Sequence, residues 1–79
     1  MNTEIYEKIK KILVETVNVS ADEITPDAEL VNDLGINSLE LADLVLACED
    51  EFDIEIDDKS IGTFTTVSDV VVYLEKITK

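Results

Sequence analysis

Apolar residues recur at helical spacing in three separate segments of this 79-residue chain, and this pattern limits it to a small helical fold. The first segment covers about residues 3–17, and its predicted buried face consists of Ile5, Ile9, Ile12, Leu13 and Val17. The last segment begins at a cap-like Thr66-Val67-Ser68-Asp69 and runs to about Ile77. Its predicted buried stripe consists of Val67, Val70, Val71, Leu74 and Ile77. Nothing in the pattern indicates a sheet.

The middle segment, from about Ser38 to Phe52, is apolar on two faces. One face is an ordinary core stripe made of Leu41, Leu44, Val45, Cys48 and Phe52. The opposite face has three apolar residues, Leu39, Ala42 and Leu46, bordered by the acidic residues Asp43, Glu49 and Asp50. An exposed apolar stripe with a charged rim is a candidate docking surface. A helix that is apolar all round is more often central and buried, so the pattern alone leaves both interpretations open.

Local signals predict where the elements begin and end. Asn37 is a good N-cap for the middle helix, and Glu40 stands where it can complete a capping box. About residues 18–36 form a long connection, with a single helical turn predicted at Ser20-Ala21-Asp22-Glu23. Gly35 is expected to supply a turn geometry that a residue with a Cβ resists. The apolar residues expected to hold this connection to the core are Ile24, Leu30, Val31, Leu34 and Ile36.

A short, weak helix is predicted at about Asp58–Thr63, and Gly62 within it disfavours helix formation. The sum is three substantial helices, one minor helix and a long first loop. A chain of this length forms at most one domain, which we expect to span residues 1–79.

The charge distribution indicates which partners the chain suits. Nineteen acidic residues and six lysines give a net charge of −13, and no basic residue occurs from Ile12 to Asp58. Nucleic acid and anionic membranes are therefore poor partners, since phosphates require Lys or Arg. Basic protein surfaces are good partners, because such a field speeds encounter with them. The alternative is an acidic surface that serves solubility alone.

Several kinds of chemistry are disfavoured by the residues that the chain lacks. It has no His, and its single Cys48 cannot form an internal disulfide or a site with several thiolates. A calcium loop beginning at Asp53 fails, because it places Asp58 where Gly is required and Phe64 where Glu is required. The sequence therefore predicts neither an enzyme nor a metal site.

Membrane insertion and secretion are also not predicted. No apolar run approaches the ~20 residues of a membrane span. The start, Met1-Asn2-Thr3-Glu4, lacks the basic and apolar regions of a secretory signal. We therefore expect a cytoplasmic protein.

The stretch from Ile24 to Glu40, with the sequence ITPDAELVNDLGINSLE, resembles the segment that leads into the prosthetic-group serine of acyl carrier proteins. Downstream, EDEFDIEI from Glu49 to Ile56 resembles the end of that family's second helix. Thr65-Thr66-Val67 resembles the entry to its last helix. The short Gly-x-x-Ser-Leu match alone is weak, but with both flanks, the length and the acidity it is specific.

The resemblance implies an all-α, four-helix bundle with a long first loop and a short third helix. It implies that Ser38, by its position alone only a helix-start residue, carries 4′-phosphopantetheine donated by coenzyme A through a phosphopantetheinyl transferase. The thiol of this arm would hold acyl groups as thioesters for enzymes of fatty acid, polyketide or lipid biosynthesis. The second helix would then be the docking surface, with Asp43, Glu49 and Asp50 facing basic patches on those enzymes.

One departure from the family pattern lies beside the serine, where Asn37 replaces the usual Asp. Asn caps a helix as well as Asp does but lacks its charge. Gly62 and Phe64, in the region of the short helix, are also unusual for the family. These departures indicate a specialised carrier rather than a housekeeping one. We expect this carrier to be monomeric. The alternative is an acidic helical interaction module without a prosthetic group.

Overall fold

The chain folds into four α-helices in a computed structural model that describes residues 2–78. They are α1 (Thr3–Val17), α2 (Ser38–Phe52), α3 (Asp58–Ile61) and α4 (Val67–Ile77), and a 3-10 turn lies at Ala21–Glu23. Helix α1 packs against both α2 and α4. Residues 2–78 form no strand, and the predicted all-α fold with a long first loop and a short third helix is confirmed. None of these helices combines the length and the apolarity needed to cross a membrane.

The predicted apolar faces meet in one core. All five residues of the α1 stripe are buried. In α2 the core face is buried at Leu44, Val45 and Cys48, while Leu41 and Phe52 pack half-buried at its edge. In α4 the stripe is buried as far as Leu74, but the prediction was wrong for Ile77, which is 39% exposed. Ile77 is the final residue of α4 and lies about 60° around the helix from Leu74.

The long first loop is fixed to the core by several of its apolar side chains. Ile24, Leu30 and Ile36 are buried, and Leu34 is half-buried against them. Val31 was predicted to join them and does not, because it is 58% exposed. It lies in a tight turn in which Leu34 donates its N–H to Glu29, so Leu30 points inward and its neighbour points outward.

The same loop is hydrogen-bonded to the start of α4. The N–H of Leu30 donates to the carbonyl of Thr65 at 2.9 Å. In return, the N–H groups of Val67 and Ser68 donate to the carbonyls of Ala28 and Pro26, each at 3.0 Å. These bonds satisfy loop carbonyls and helix-terminal N–H groups at the same time.

Side-chain capping completes the start of α4 as predicted. The Oγ1 of Thr66 accepts the N–H of Asp69 at 3.2 Å. The Oδ2 of Asp69 accepts the N–H groups of Thr66 and Thr65, each at 3.0 Å. The bond from the Thr66 N–H lowers the pKa of Asp69 below its ordinary value of 3.8.

Other boundaries differ in detail from the sequence prediction. The 3-10 turn forms, but the Ser20 side chain makes no capping bond to it. Helix α3 ends at Ile61, two residues earlier than predicted. Gly35 has a φ of +69°, which confirms its predicted turn role, whereas the left-handed residues Asn18 and Asp53 that end α1 and α2 were not predicted.

We predict that Asp69→Asn lowers the free energy of unfolding at pH 7 by about 0.5–1 kcal/mol, the scale of a capping interaction. The amide accepts the two backbone N–H bonds less strongly than the carboxylate. Urea unfolding followed by circular dichroism measures the change. Asp43→Asn, at an exposed position in α2, removes the same charge without a cap and serves as the control.

The difference between wild type and Asp69→Asn should also depend on pH. Because the pKa of Asp69 is lowered in the folded chain, its contribution is complete above about pH 4 and is lost as the pH falls through the folded value. The two unfolding curves should therefore converge under acid conditions. A difference that stays constant down to pH 2 contradicts this role.

Candidate functional site

The start of α2 is set by a reciprocal pair of capping bonds. The Oδ1 of Asn37 accepts the N–H of Glu40 at 2.8 Å. The Oε1 of Glu40 accepts the N–H of Asn37 at 3.0 Å. Because the two bonds close on each other, the helix must begin at Ser38, as the sequence predicted.

Ser38 is the first residue of α2 and is exposed. The capping pair satisfies the N–H groups of Asn37 and Glu40, while those of Ser38 and Leu39 have no hydrogen-bond acceptor within residues 2–78. The Ser38 hydroxyl likewise makes no hydrogen bond to another described residue. A free hydroxyl therefore stands beside two free backbone donors.

This geometry suits a phosphate ester on Ser38. A helix start carries about half a positive elementary charge, and its free N–H groups point toward an anion placed there. A phosphodiester on the Ser38 oxygen would therefore be stabilised without a basic side chain. This matters because the chain has no Lys or Arg from Ile12 to Asp58.

The outer face of α2 continues from this helix start. Leu39 is 78% exposed and Leu46 is 62% exposed, and Ala42 lies exposed between them. Asp43 and Asp50 are exposed beside them. The alternative in which this second apolar face is buried is therefore wrong. We call the stripe formed by Leu39, Ala42, Asp43, Leu46, Glu49 and Asp50 the outer face.

Glu49 differs from the other acids of the outer face. It is half-buried, and its Oε2 accepts the N–H of Ile56 at 2.7 Å. This bond ties the segment after α2 back to the helix. The sequence predicted Glu49 at the rim of the outer face but did not predict this bond. A signal for it was that the N–H of Ile56, in an extended connector, needs an acceptor.

The outer face borders a groove of about 280 Å³ between α2 and α3. From α2 it is lined by Ala42, Val45, Leu46 and Glu49. From the following segment it is lined by Ile56, Asp58 and Ile61, which sequence reasoning did not assign to the site. A usable signal was Ile61, the one apolar residue within α3.

Known proteins are similar to this chain over most of its length. A family described as the phosphopantetheine attachment site matches residues 7–74. An acyl carrier protein of Akkermansia muciniphila is 41% identical over 76 residues, which cover 96% of this chain and 95% of that protein. An acyl carrier protein of Thermotoga maritima is 42% identical over 73 residues, which cover 92% of this chain and 90% of that protein.

The chain's own thiol lies away from the exposed helix start. Cys48 is buried on the core face of α2. Burial, with a smaller contribution from the carboxylates of Glu49 and Glu51, raises the pKa of this thiol from 9.0 to about 12. A thiol in this state is both inaccessible and protonated, so it is a poor nucleophile.

We predict that Cys48 in the native chain reacts with a disulfide reagent at pH 8 about a thousandfold more slowly than an exposed thiol, given its raised pKa and burial. The variant Leu39→Cys places a second thiol on the exposed face of the same helix and is the control. Absorbance of the released thiolate reports both rates. Equal rates for the two thiols would contradict the burial of Cys48.

Proposed function

The chain belongs to the acyl carrier proteins, and from that premise we propose that Ser38 is the residue to which its prosthetic group is attached. The observation that carries the proposal is the exposed Ser38 hydroxyl beside two free N–H groups at the start of α2. Ser38 also lies inside the matched range 7–74. The other serines lack this combination of an exposed hydroxyl and the first position of a long helix.

As an acyl carrier, the chain bears covalent 4′-phosphopantetheine, whose thiol holds acyl groups as thioesters. In the proposed attachment, the Ser38 oxygen attacks the phosphorus of coenzyme A that carries the pantetheine. The Oγ–P bond forms, and the bond to the other phosphate breaks with release of adenosine 3′,5′-bisphosphate. The hydroxyl proton passes to a base of the transferase.

The family interacts with phosphopantetheinyl transferases and acyl-handling enzymes, and we propose that these partners dock on the outer face of α2. No element within residues 2–78 covers Leu39 and Leu46, so a partner that buries them gains apolar area. Asp43 and Asp50 stand beside them and suit a basic rim. The partners in question are enzymes of fatty acid or related polyketide and lipid biosynthesis.

We further propose that residues 1–79 act as one monomeric carrier domain without catalytic activity of its own. The family match and both relatives extend over nearly the whole chain. The net charge of −13 opposes association between copies. We place this domain in the cytoplasm, where coenzyme A is available, and Asn37 supports a specialised role.

Incubation with coenzyme A and a phosphopantetheinyl transferase should raise the mass of the wild-type chain by one arm. Ser38→Ala should gain nothing, because it lacks the attacking oxygen. Intact-protein mass spectrometry measures both outcomes.

Ser20→Ala is the matched control for this test. Ser20 is an exposed serine that also precedes a helical turn, so its replacement should leave the mass gain unchanged. A mass gain in Ser38→Ala would overturn the assignment of Ser38. A wild-type mass that several transferases leave unchanged would favour the interaction module without an arm.

Reversing two charges on the outer face should slow docking. We expect the double variant Asp43→Lys/Asp50→Lys to lower kcat/KM for arm transfer about tenfold at low salt, because the attraction that steers a basic partner is lost. At about 1 M salt, where the Debye length is ~3 Å, most of the difference should disappear. A discontinuous assay of holo-protein formation measures the rates.

The double variant Asp22→Lys/Glu23→Lys is the control for net charge. It makes the same change in charge on the exposed 3-10 turn, away from α2. If it slows transfer as much as the α2 variant does, total charge matters and the outer face is not the docking surface.

A further inference from the structure

The orientation of the Asn37 side chain is fixed by its capping bond. Its amide has one acceptor, Oδ1, and one donor group, Nδ2. Since Oδ1 must face the Glu40 N–H that it accepts at 2.8 Å, Nδ2 is turned away from that bond. Asn37 is exposed, and within residues 2–78 its Nδ2 donates to no acceptor.

The capping box also prevents this amide from turning freely. A flip of the amide would bring Nδ2 against the Glu40 N–H, where two donors would face each other. The backbone of Asn37 is held as well, because its N–H donates to Glu40 Oε1 at 3.0 Å. The donor group is therefore held in one orientation on the residue that directly precedes Ser38.

A phosphodiester on Ser38 would stand on the residue next to this donor, and both side chains are exposed. Consecutive Cα atoms are about 3.8 Å apart, so the groups carried by Asn37 and Ser38 are near neighbours. The other free donors at this point are the N–H groups of Ser38 and Leu39. Because the chain has no basic residue from Ile12 to Asp58, the donors that this segment offers to the phosphate charge are neutral N–H groups.

We propose that Asn37 is a positioning residue whose Nδ2 donates a hydrogen bond to the phosphodiester on Ser38. This inference rests on the proposed attachment at Ser38. An N–H bond to a charged oxygen is stronger than one between neutral groups, and it limits rotation of the ester. An Asp at this position would cap α2 equally well but would place a second negative charge beside the phosphate.

The direct test compares the side-chain amide signals of the 15N-labelled chain before and after arm attachment. The Asn37 Nδ2 protons should move downfield in the holo-protein, because they enter a charge-assisted bond. The side-chain amides of Asn18 and Asn32 are internal controls and should not move. Asn32 already donates from Nδ2 to Glu29 at 2.7 Å, so its donor has an acceptor before the arm is attached.

A variant tests the energetic side of the same contact. We expect arm attachment to favour the unfolded state about two- to fivefold more in Asn37→Asp than in wild type. This is the scale of a screened pair of like charges. Urea unfolding of apo- and holo-protein gives this difference. Asn18→Asp adds the same charge at the end of α1 and should behave as wild type. The 31P signal of the ester should also differ between wild type and Asn37→Asp.

The outcomes separate this inference from the proposal on which it rests. If the wild-type chain gains no arm, the attachment at Ser38 fails. If the arm attaches but the Asn37 amide signals stay in place, the positioning role fails and the attachment stands. Equal effects of the arm on wild type and Asn37→Asp would also overturn the positioning role, whatever the activity of the loaded carrier.

Discussion

The backbone hydrogen bonds between the first loop and the start of α4 are the contacts on which the remaining structure depends. A loop of this length in so small a chain has many polar backbone groups, and each needs a partner where it packs on the core. The bonds of Leu30, Val67 and Ser68 supply those partners and also close the N-terminal end of α4. The buried side chains of Leu30 and Ile36 then hold the loop on the core, so the chain reaches Asn37 in one defined position.

The starts of α2 and α4 use the same capping chemistry with opposite results. At α4 the side-chain box and the loop carbonyls together occupy the terminal N–H groups. At α2 the N–H groups of Ser38 and Leu39 have no acceptor, from the loop or elsewhere, among residues 2–78. One helix start is therefore closed as part of the fold, and the other is open to a charged group. This difference makes α2 the suitable place for a phosphate ester.

The sequence predicted the features that depend on neighbours along the chain. The caps at Asn37 and Thr66 involve partners three residues away, and the helical stripes follow from spacing alone. The features that it missed depend on placement in space. The outward turn of Val31, the bond between Glu49 and Ile56, and the groove beside α3 each require knowing how distant segments meet. Likewise, the sequence did not decide which of the two apolar faces of α2 is buried, because that depends on how α1 and α4 pack. Ser38 itself was distinguished by family resemblance, because a serine at a helix start is common.

The burial of Cys48 has a consequence for how many cargoes one chain can hold. With its own sulfur protonated and enclosed in the core, the folded chain offers acyl groups no second accessible thiol. Each molecule then presents one thioester at a time, because an acyl group on the arm cannot pass to the enclosed Cys48. Each chain therefore carries at most one intermediate on its arm. The number of chains then sets how many intermediates a pathway can hold at once.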